Sequence, residues 1–127
     1  MTEVVFDTSV LIDHLRNVGA ATALIEKVKN GTIIGYISII TEAELFAGKH
    51  VENSIKRRLL EELLSLFSRV DVNGEIARVA GSFRRKYDTN LVDGIIASTA
   101  SNLHCKLITK DIKDFKPIKE ISVEEPY

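Results

Sequence analysis

Four carboxylates stand where short apolar runs give out. Asp7 ends "VVFD", Glu44 lies in "TEAELFAG" just past "IIGYISII", Asp93 lies in "NLVDGIIASTA", and Asp111 follows "KLITK". Two hydroxyl residues, Thr8 and Ser9, come directly after Asp7. If these acids meet, their like charges repel and some must take up protons. A hard divalent cation removes the conflict. Mg²⁺ and Mn²⁺ prefer oxygen ligands, and Mg²⁺ keeps several of its waters. Such an ion lowers the pKa of a water and stabilises charge on a phosphoryl oxygen.

Each acid also has a plainer role at a helix end. Asp7 suits an N-cap for a helix opening at Thr8-Ser9. Thr41-x-x-Glu44 fits a capping box, in which Glu44 reaches back to the Thr41 amide. Asp93 falls in the first turn after Asn90, where a negative charge complements the helix dipole. Asp111 suits a cap for "IKDF". Taken one at a time, the cap is the stronger reading. Taken together, the balance shifts, because all four fall at strand-to-helix junctions. Two positions have rivals. Glu42 and Glu44 lie about 200° apart around a helix, so only one faces a common site; Glu44 is preferred. Asp111, at the strand exit, is preferred to Asp114, which is placed beside it as a supporting residue.

The elements that must position these acids are read from periodicity. "EVVFD", "TIIGYISII" and "CKLITK" are short, apolar and β-branched, and are predicted to be buried strands. "VDVN" and "KEISVEEPY" are weaker strands, the second an edge strand with an acidic tail. Helices are predicted for "TSVLIDHLRN", for "AATALIEKVKNG" ending at Asn30-Gly31, and for "TEAELFAGKH" capped by Thr41. Further helices are predicted for "NSIKRRLLEELLSLFSRV", "GEIARVAGSFRRKY" and "LVDGIIASTASNLH". The first of these three has an apolar face of Ile55, Leu59, Leu60, Leu63, Leu64 and Phe67. "DIKDFKPI" reads as a turn or a single helical turn broken at Pro117. Strands alternating with helices predict an α/β fold with a mostly parallel sheet covered on both faces. Such sheets bind ligands outside the carboxyl ends of their strands, the edge where the four acids fall.

The bulk numbers narrow the function. At 127 residues the chain is the size of one domain, with 45% hydrophobic and 28% charged residues, an ordinary globular balance. A protein that coats nucleic acid nonspecifically is usually more basic than this chain, whose formal net charge is −1, so any such contact must come from local basic patches. One cysteine, Cys105, allows neither an internal disulfide nor a thiolate zinc cluster. His14, His50 and His104 are scattered, and none sits where a general base is needed. "MTEVVFD" lacks the features of a signal peptide, and "IIGYISII" is too short to span a bilayer, so a cytoplasmic protein is expected.

Four stretches in order, "VVFDTSVLID", "SIITEAELFAG", "NLVDGIIASTA" and "KLITKDIKDF", make the chain similar to the PIN-domain nucleases. Within them it resembles the small VapC-type toxins of toxin–antitoxin pairs, across nearly its whole length. The resemblance implies a three-layer α/β/α sandwich and Mg²⁺- or Mn²⁺-dependent cleavage of RNA. It places Asp7, Glu44, Asp93 and Asp111 at the family's acidic positions, and Ser9 and Thr109 at the hydroxyl positions beside them. It implies a homodimer silenced by a cognate antitoxin whose C-terminal segment occupies the groove. Gly94 stands where the family often has alanine.

Basic residues that suit an RNA backbone are Lys110, next to Asp111, and Arg84 and Arg85 in "FRRKY"; "IKRRLL" reads as a solvated face. Tyr87 suits stacking on a base or a place in the core. Other enzymes with acids at strand ends fit less well. A receiver domain needs an acidic pair after strand one, and a haloacid-dehalogenase-type phosphatase needs an acid at the position of Ser9. The non-enzymatic alternative is a degenerate PIN fold that binds RNA or protein.

Overall fold

The computed structural model describes residues 2–127. The chain runs β1 (Thr2–Phe6), α1 (Thr8–Leu15), α2 (Gly19–Lys29), β2 (Ile33–Ser38), α3 (Ile39–Phe46), a 3₁₀ turn (Lys49–Glu52) and α4 (Ser54–Leu64). It continues with β3 (Ser68–Val70), α5 (Gly74–Tyr87), α6 (Leu91–Leu103), β4 (Lys106–Ile108), α7 (Ile112–Phe115) and β5 (Val123–Glu124). The strands form one sheet in the order β3-β2-β1-β4-β5. Every pairing is parallel.

Helices cover both faces of the sheet, because the strand side chains alternate. Val4 and Phe6 face a layer built from Val10 and Leu11 of α1, Ile25 of α2, and Leu60 and Leu64 of α4. Val5 and Leu107 face the opposite layer, with Phe83 of α5, Ile96 and Ala100 of α6, and Phe115 of α7. The expected three-layer α/β/α sandwich is therefore the observed fold.

The order of the strands sets the position of the site. From β1 the chain builds outward through β2 and β3, then returns to place β4 on the other flank of β1. Connections leaving β1 and β4 diverge at this switch point and leave a crevice at the strands' carboxyl ends. Asp7 follows β1, and Thr109 to Asp111 follow β4.

α5 and α6 approach closely beside this crevice. A Cβ on Gly94 would lie 3.0 Å from the Ala80 carbonyl oxygen, a backbone atom of the facing helix. Glycine costs about 1 kcal/mol in a helix relative to alanine; here it lets α6, and with it the adjacent Asp93, sit against α5. The Ser98 hydroxyl ties the same pair of helices by donating to the Ile76 carbonyl at 2.9 Å.

Three predicted boundaries are corrected. Helix α3 starts at Ile39, two residues before Thr41, because Ser38 leaves the strand extended and its Oγ accepts from the Ile40 amide at 3.2 Å. The predicted helix from Asn53 to Val70 ends at Leu64, and Ser68–Val70 pairs with β2 as a strand. The weak strand at "VDVN" thus lies earlier than predicted and keeps only Val70. On the predicted apolar face of α4, Leu60, Leu63 and Leu64 are buried, but Ile55 and Leu59 stand 71% and 55% exposed. Asn30 caps α2 and Gly31 takes a positive φ of 83°, as the Asn-Gly signal predicts. Among the described residues no helix is long and apolar enough to cross a membrane.

Candidate active site

Asp7 occupies the N-cap position of α1, yet its side chain makes no capping hydrogen bond. Its backbone amide continues the sheet by donating to the Ile108 carbonyl at 2.9 Å. The carboxylate, only 4% exposed, accepts from Thr109 Oγ1 at 2.8 Å. Thr109 in turn accepts from the Asp111 amide at 2.9 Å. One fully buried hydroxyl therefore joins the exits of β1 and β4 and fixes the rotamer of Asp7. Ser9 fastens the same junction: its Oγ accepts from the Lys110 amide at 3.1 Å and lies 3.5 Å from Thr109 Oγ1.

Glu44 is held by a second hydroxyl. Thr8 Oγ1 donates to Glu44 Oε1 at 2.6 Å and lies 3.0 Å from Thr41 Oγ1. Thr8 has one hydroxyl hydrogen, and the carboxylate is the stronger acceptor. Thr8 and Thr41 are both buried, while the Glu44 carboxylate that Thr8 meets is exposed. The capping-box reading of Thr41 and Glu44 does not hold, since Thr41 lies inside the helix. Glu42 points elsewhere and pairs with Arg69 at 2.6 Å. Thr8 and Thr41 are functional candidates that the sequence reading passed over. Their signal was a hydroxyl directly after the strand-end acid, and another one helical turn before Glu44.

Asp93 sits in the first turn of α6. The Asn90 side chain caps that turn, accepting from the Asp93 amide at 2.8 Å and donating Nδ2 to Asp93 Oδ2 at 2.8 Å. The helix-end reading of Asp93 is thus partly realised. Burial nevertheless pushes its carboxyl up to about 6. Asn90 opposes this, while the charges of Asp7, Asp114 and Glu44 add to it. Asp93 therefore feels carboxylates from three other segments of the chain.

Asp111 opens α7 without capping it. Its carboxyl is raised by burial first, then by Asp7, Asp114 and Asp13. Asp114, one turn on and exposed, bears on both Asp93 and Asp111. Asp13 on α1 extends the negative field, a contribution with no sequence signal.

The basic candidates are placed unequally. Lys110 stands beside the acids, but its ammonium lies 4.4 Å from the centre of the Tyr127 ring and 3.7 Å from Glu125 Oε2. Arg84 donates to the Thr89 carbonyl at 3.2 Å and closes the turn between α5 and α6. Arg85 is exposed on the same helix end. Tyr87 packs in the α5–α6 layer against Phe83, with ring centroids 6.2 Å apart, which is its core reading.

The donors suit a hard cation. They are carboxylate oxygens supported by hydroxyls, with no imidazole or thiolate among them. Among the described residues, no three acidic, histidine or cysteine side chains close around a point as a ready-made cage. An open set of acids matches Mg²⁺, which is bound through one or two carboxylates and retains its waters. Asp93 and Asp111 are raised first by burial and then by the shared charges of Asp7 and Asp114, and a bound cation relieves that part of the conflict.

Residues 4–121 match the PIN domain family. The chain is 32% identical to a protein named Ribonuclease VapC19 from Mycobacterium tuberculosis, over 95% of this chain and 97% of that one. It is 30% identical to Ribonuclease VapC2 from Methanocaldococcus jannaschii, over 97% of this chain and 93% of that one. Its fold superposes on a chain of a toxin–antitoxin complex from Klebsiella pneumoniae with a TM-score of 0.80 at 29% identity, covering 98% of both. It also superposes on a DNA-bound VapBC structure from Salmonella typhimurium with a TM-score of 0.83 at 22% identity, covering 98% of both.

Proposed function

The chain belongs to the PIN domain family, and from that premise we propose that it is a divalent-metal-dependent endoribonuclease acting as the toxin of a toxin–antitoxin pair. One observation carries the reading: acids from β1, α3, α6 and the β4–α7 turn share one electrostatic neighbourhood at the switch point of the sheet.

Asp7, Glu44, Asp93 and Asp111 would hold Mg²⁺ or Mn²⁺. When bound, the ion would let the acids stay ionised together, lower the pKa of a water and neutralise charge on a phosphoryl oxygen. The chain's own residues set the geometry. Thr109 and Thr8 hold Asp7 and Glu44 in single rotamers from beneath. Asn90 aims Asp93 from the side. Ser9 and Thr109 tie the β4 exit to α1, which fixes where Asp111 begins. With the phosphodiester over this floor, water attacks phosphorus, the P–O bond in line with it breaks, and the departing alkoxide takes up a proton to balance the one the water gives up. No side chain here is placed as a nucleophile, so hydrolysis proceeds without a covalent intermediate.

The partner follows from the surface beside Glu44. A groove of about 540 Å³ there is lined by Ile12, Leu15, Leu45 and Leu59, with Arg16 and Lys56 among its polar residues. An antitoxin segment with apolar side chains and a charged tip suits it and would block the acids. A homodimer and a cytoplasmic location belong to the same proposal.

The test is cleavage of a defined RNA with and without Mg²⁺ or Mn²⁺. Cleavage that needs the ion, stops with chelator and is suppressed by the product of an adjacent small gene is the expected result. Metal-independent cleavage, or none with any RNA, would overturn the proposal.

A further inference from the structure

The residues after β5 make a contact that the catalytic reading does not use. Ile121 and Val123 pack into the α5–α6 layer, whereas Tyr127 packs against the α1–α4 layer. The intervening segment therefore passes from one side of the sheet to the other. It does so at the carboxyl end of β4, where the Thr109 amide donates to the Glu124 carbonyl at 3.1 Å.

There Tyr127 joins two elements of the site. Its hydroxyl donates to Asp13 Oδ2 on α1 at 2.6 Å. Its carbonyl accepts from the Lys110 ammonium, which also lies 4.4 Å from the Tyr127 ring centre and 3.7 Å from Glu125. Lys110 is thus gripped by its side chain from the strap and by its amide from Ser9. Beyond the Asp111 amide, which donates to Thr109 Oγ1 at 2.9 Å, the next residues have few side-chain anchors: Asp111, Lys113 and Asp114 are exposed, and the first buried side chain is Phe115.

We infer that Tyr127 is a positioning residue: the segment Glu125–Tyr127 straps Lys110, and through it holds the turn that presents Asp111 and Asp114 to the other acids. This rests on the reading of those acids as a metal-dependent nuclease site. The strap also commits the charge of Lys110 to Tyr127 and Glu125, so the nearest cation orders the turn before any RNA arrives.

Two variants separate the strap's contacts. Tyr127→Ala removes the ring and the hydroxyl; Tyr127→Phe keeps the ring and loses only the bond to Asp13. In the metal-free protein, the Lys110 and Asp111 amides should exchange hydrogen at least about 10-fold faster in Tyr127→Ala, with Tyr127→Phe between it and the wild type. By calorimetry, Mn²⁺ affinity should fall roughly 10-fold, at the lower end for losses from groups that orient metal ligands. kcat should fall with little change in KM. A drop in Tm with unchanged exchange at these amides and unchanged Mn²⁺ affinity would sink the strap alone. So would faster cleavage or tighter RNA binding by Tyr127→Ala, the mark of a tail that merely obstructs Lys110. A wild-type protein that binds no Mn²⁺ would sink the reading of the acids, while the exchange rates would still judge the strap.

Discussion

The carboxylates of Asp7 and Glu44 each accept from a buried threonine, whereas Asp111 and Asp114, exposed like Glu44, stand at the start of and within the four-residue helix α7. On the first side, each carboxylate is set by a hydroxyl that water cannot reach, in a layer also anchored by β1. On the second side, order reaches the turn through its backbone, whose Lys110 and Asp111 amides donate to Ser9 and Thr109, and through Tyr127. The contrast separates two tasks. A cation with strict octahedral demands needs some ligands that do not move. A long, flexible substrate needs an edge that can adapt. The threonine-held side would fix the metal, and the α7 side would complete its ligands where the RNA arrives.

The widest break in this contrast is expected from the threonine-held side. Asp7→Asn keeps the shape and the acceptor for Thr109 but removes a charge. RNA cleavage should fall by more than about 100-fold, beyond the usual loss for a group that only orients a ligand. Near-normal cleavage by a pure preparation would contradict the role given to Asp7.

The next effect is on the threonines. Thr8→Val and Thr109→Val should each lower cleavage by roughly 10- to 100-fold, while Thr8→Ser, which keeps the hydroxyl, should retain most of it. Kinetics on all three variants check this, and equal losses for valine and serine at position 8 would remove the hydroxyl from the account. On the α7 side, Asp111→Asn should cost more activity than Asp114→Asn. The reverse order would move the fourth ligand one helical turn onward.

The smallest expected effect is on stability. The Asp93 carboxyl is raised to about 6, chiefly by burial, so its charged form disfavours the folded state. Below the ordinary aspartate range both folded and unfolded forms are protonated and there is no penalty. The penalty grows as pH rises through about 4 to 6 and is complete above that window. In chelator, Asp93→Asn should therefore melt a few degrees higher than the wild type at pH 7. The difference should close by about pH 4, as thermal melts across pH would show. A variant that melts lower at pH 7 would mean that the charge is stabilising where it stands.

The sequence made the floor of the site legible, because a carboxylate after a buried strand is a local signal. "VVFD" and "KLITKD" each carry it, and the parallel sheet followed from strands alternating with helices. The supports were less visible. Thr41 looked like a cap because Ile39-Ile40 extends the apolar run of β2, and periodicity cannot locate Ser38 as the break. β3 was placed two residues late because three residues are too few to show alternation. Phe67, buried past the end of α4 but at helix-like spacing from Leu63 and Leu64, lengthened the apparent helix. The contacts of Tyr127 with Asp13 and Lys110 span 114 and 17 residues, and no local pattern announces them.

The most direct test of the central claim is a calorimetric titration of Mn²⁺ into the wild-type protein and into Asp7→Asn at the same pH. Saturable binding to the wild type, lost in a folded Asp7→Asn, is the predicted result. Equal affinity in both proteins, or no binding to either, would contradict a single metal centre built on Asp7, Glu44, Asp93 and Asp111.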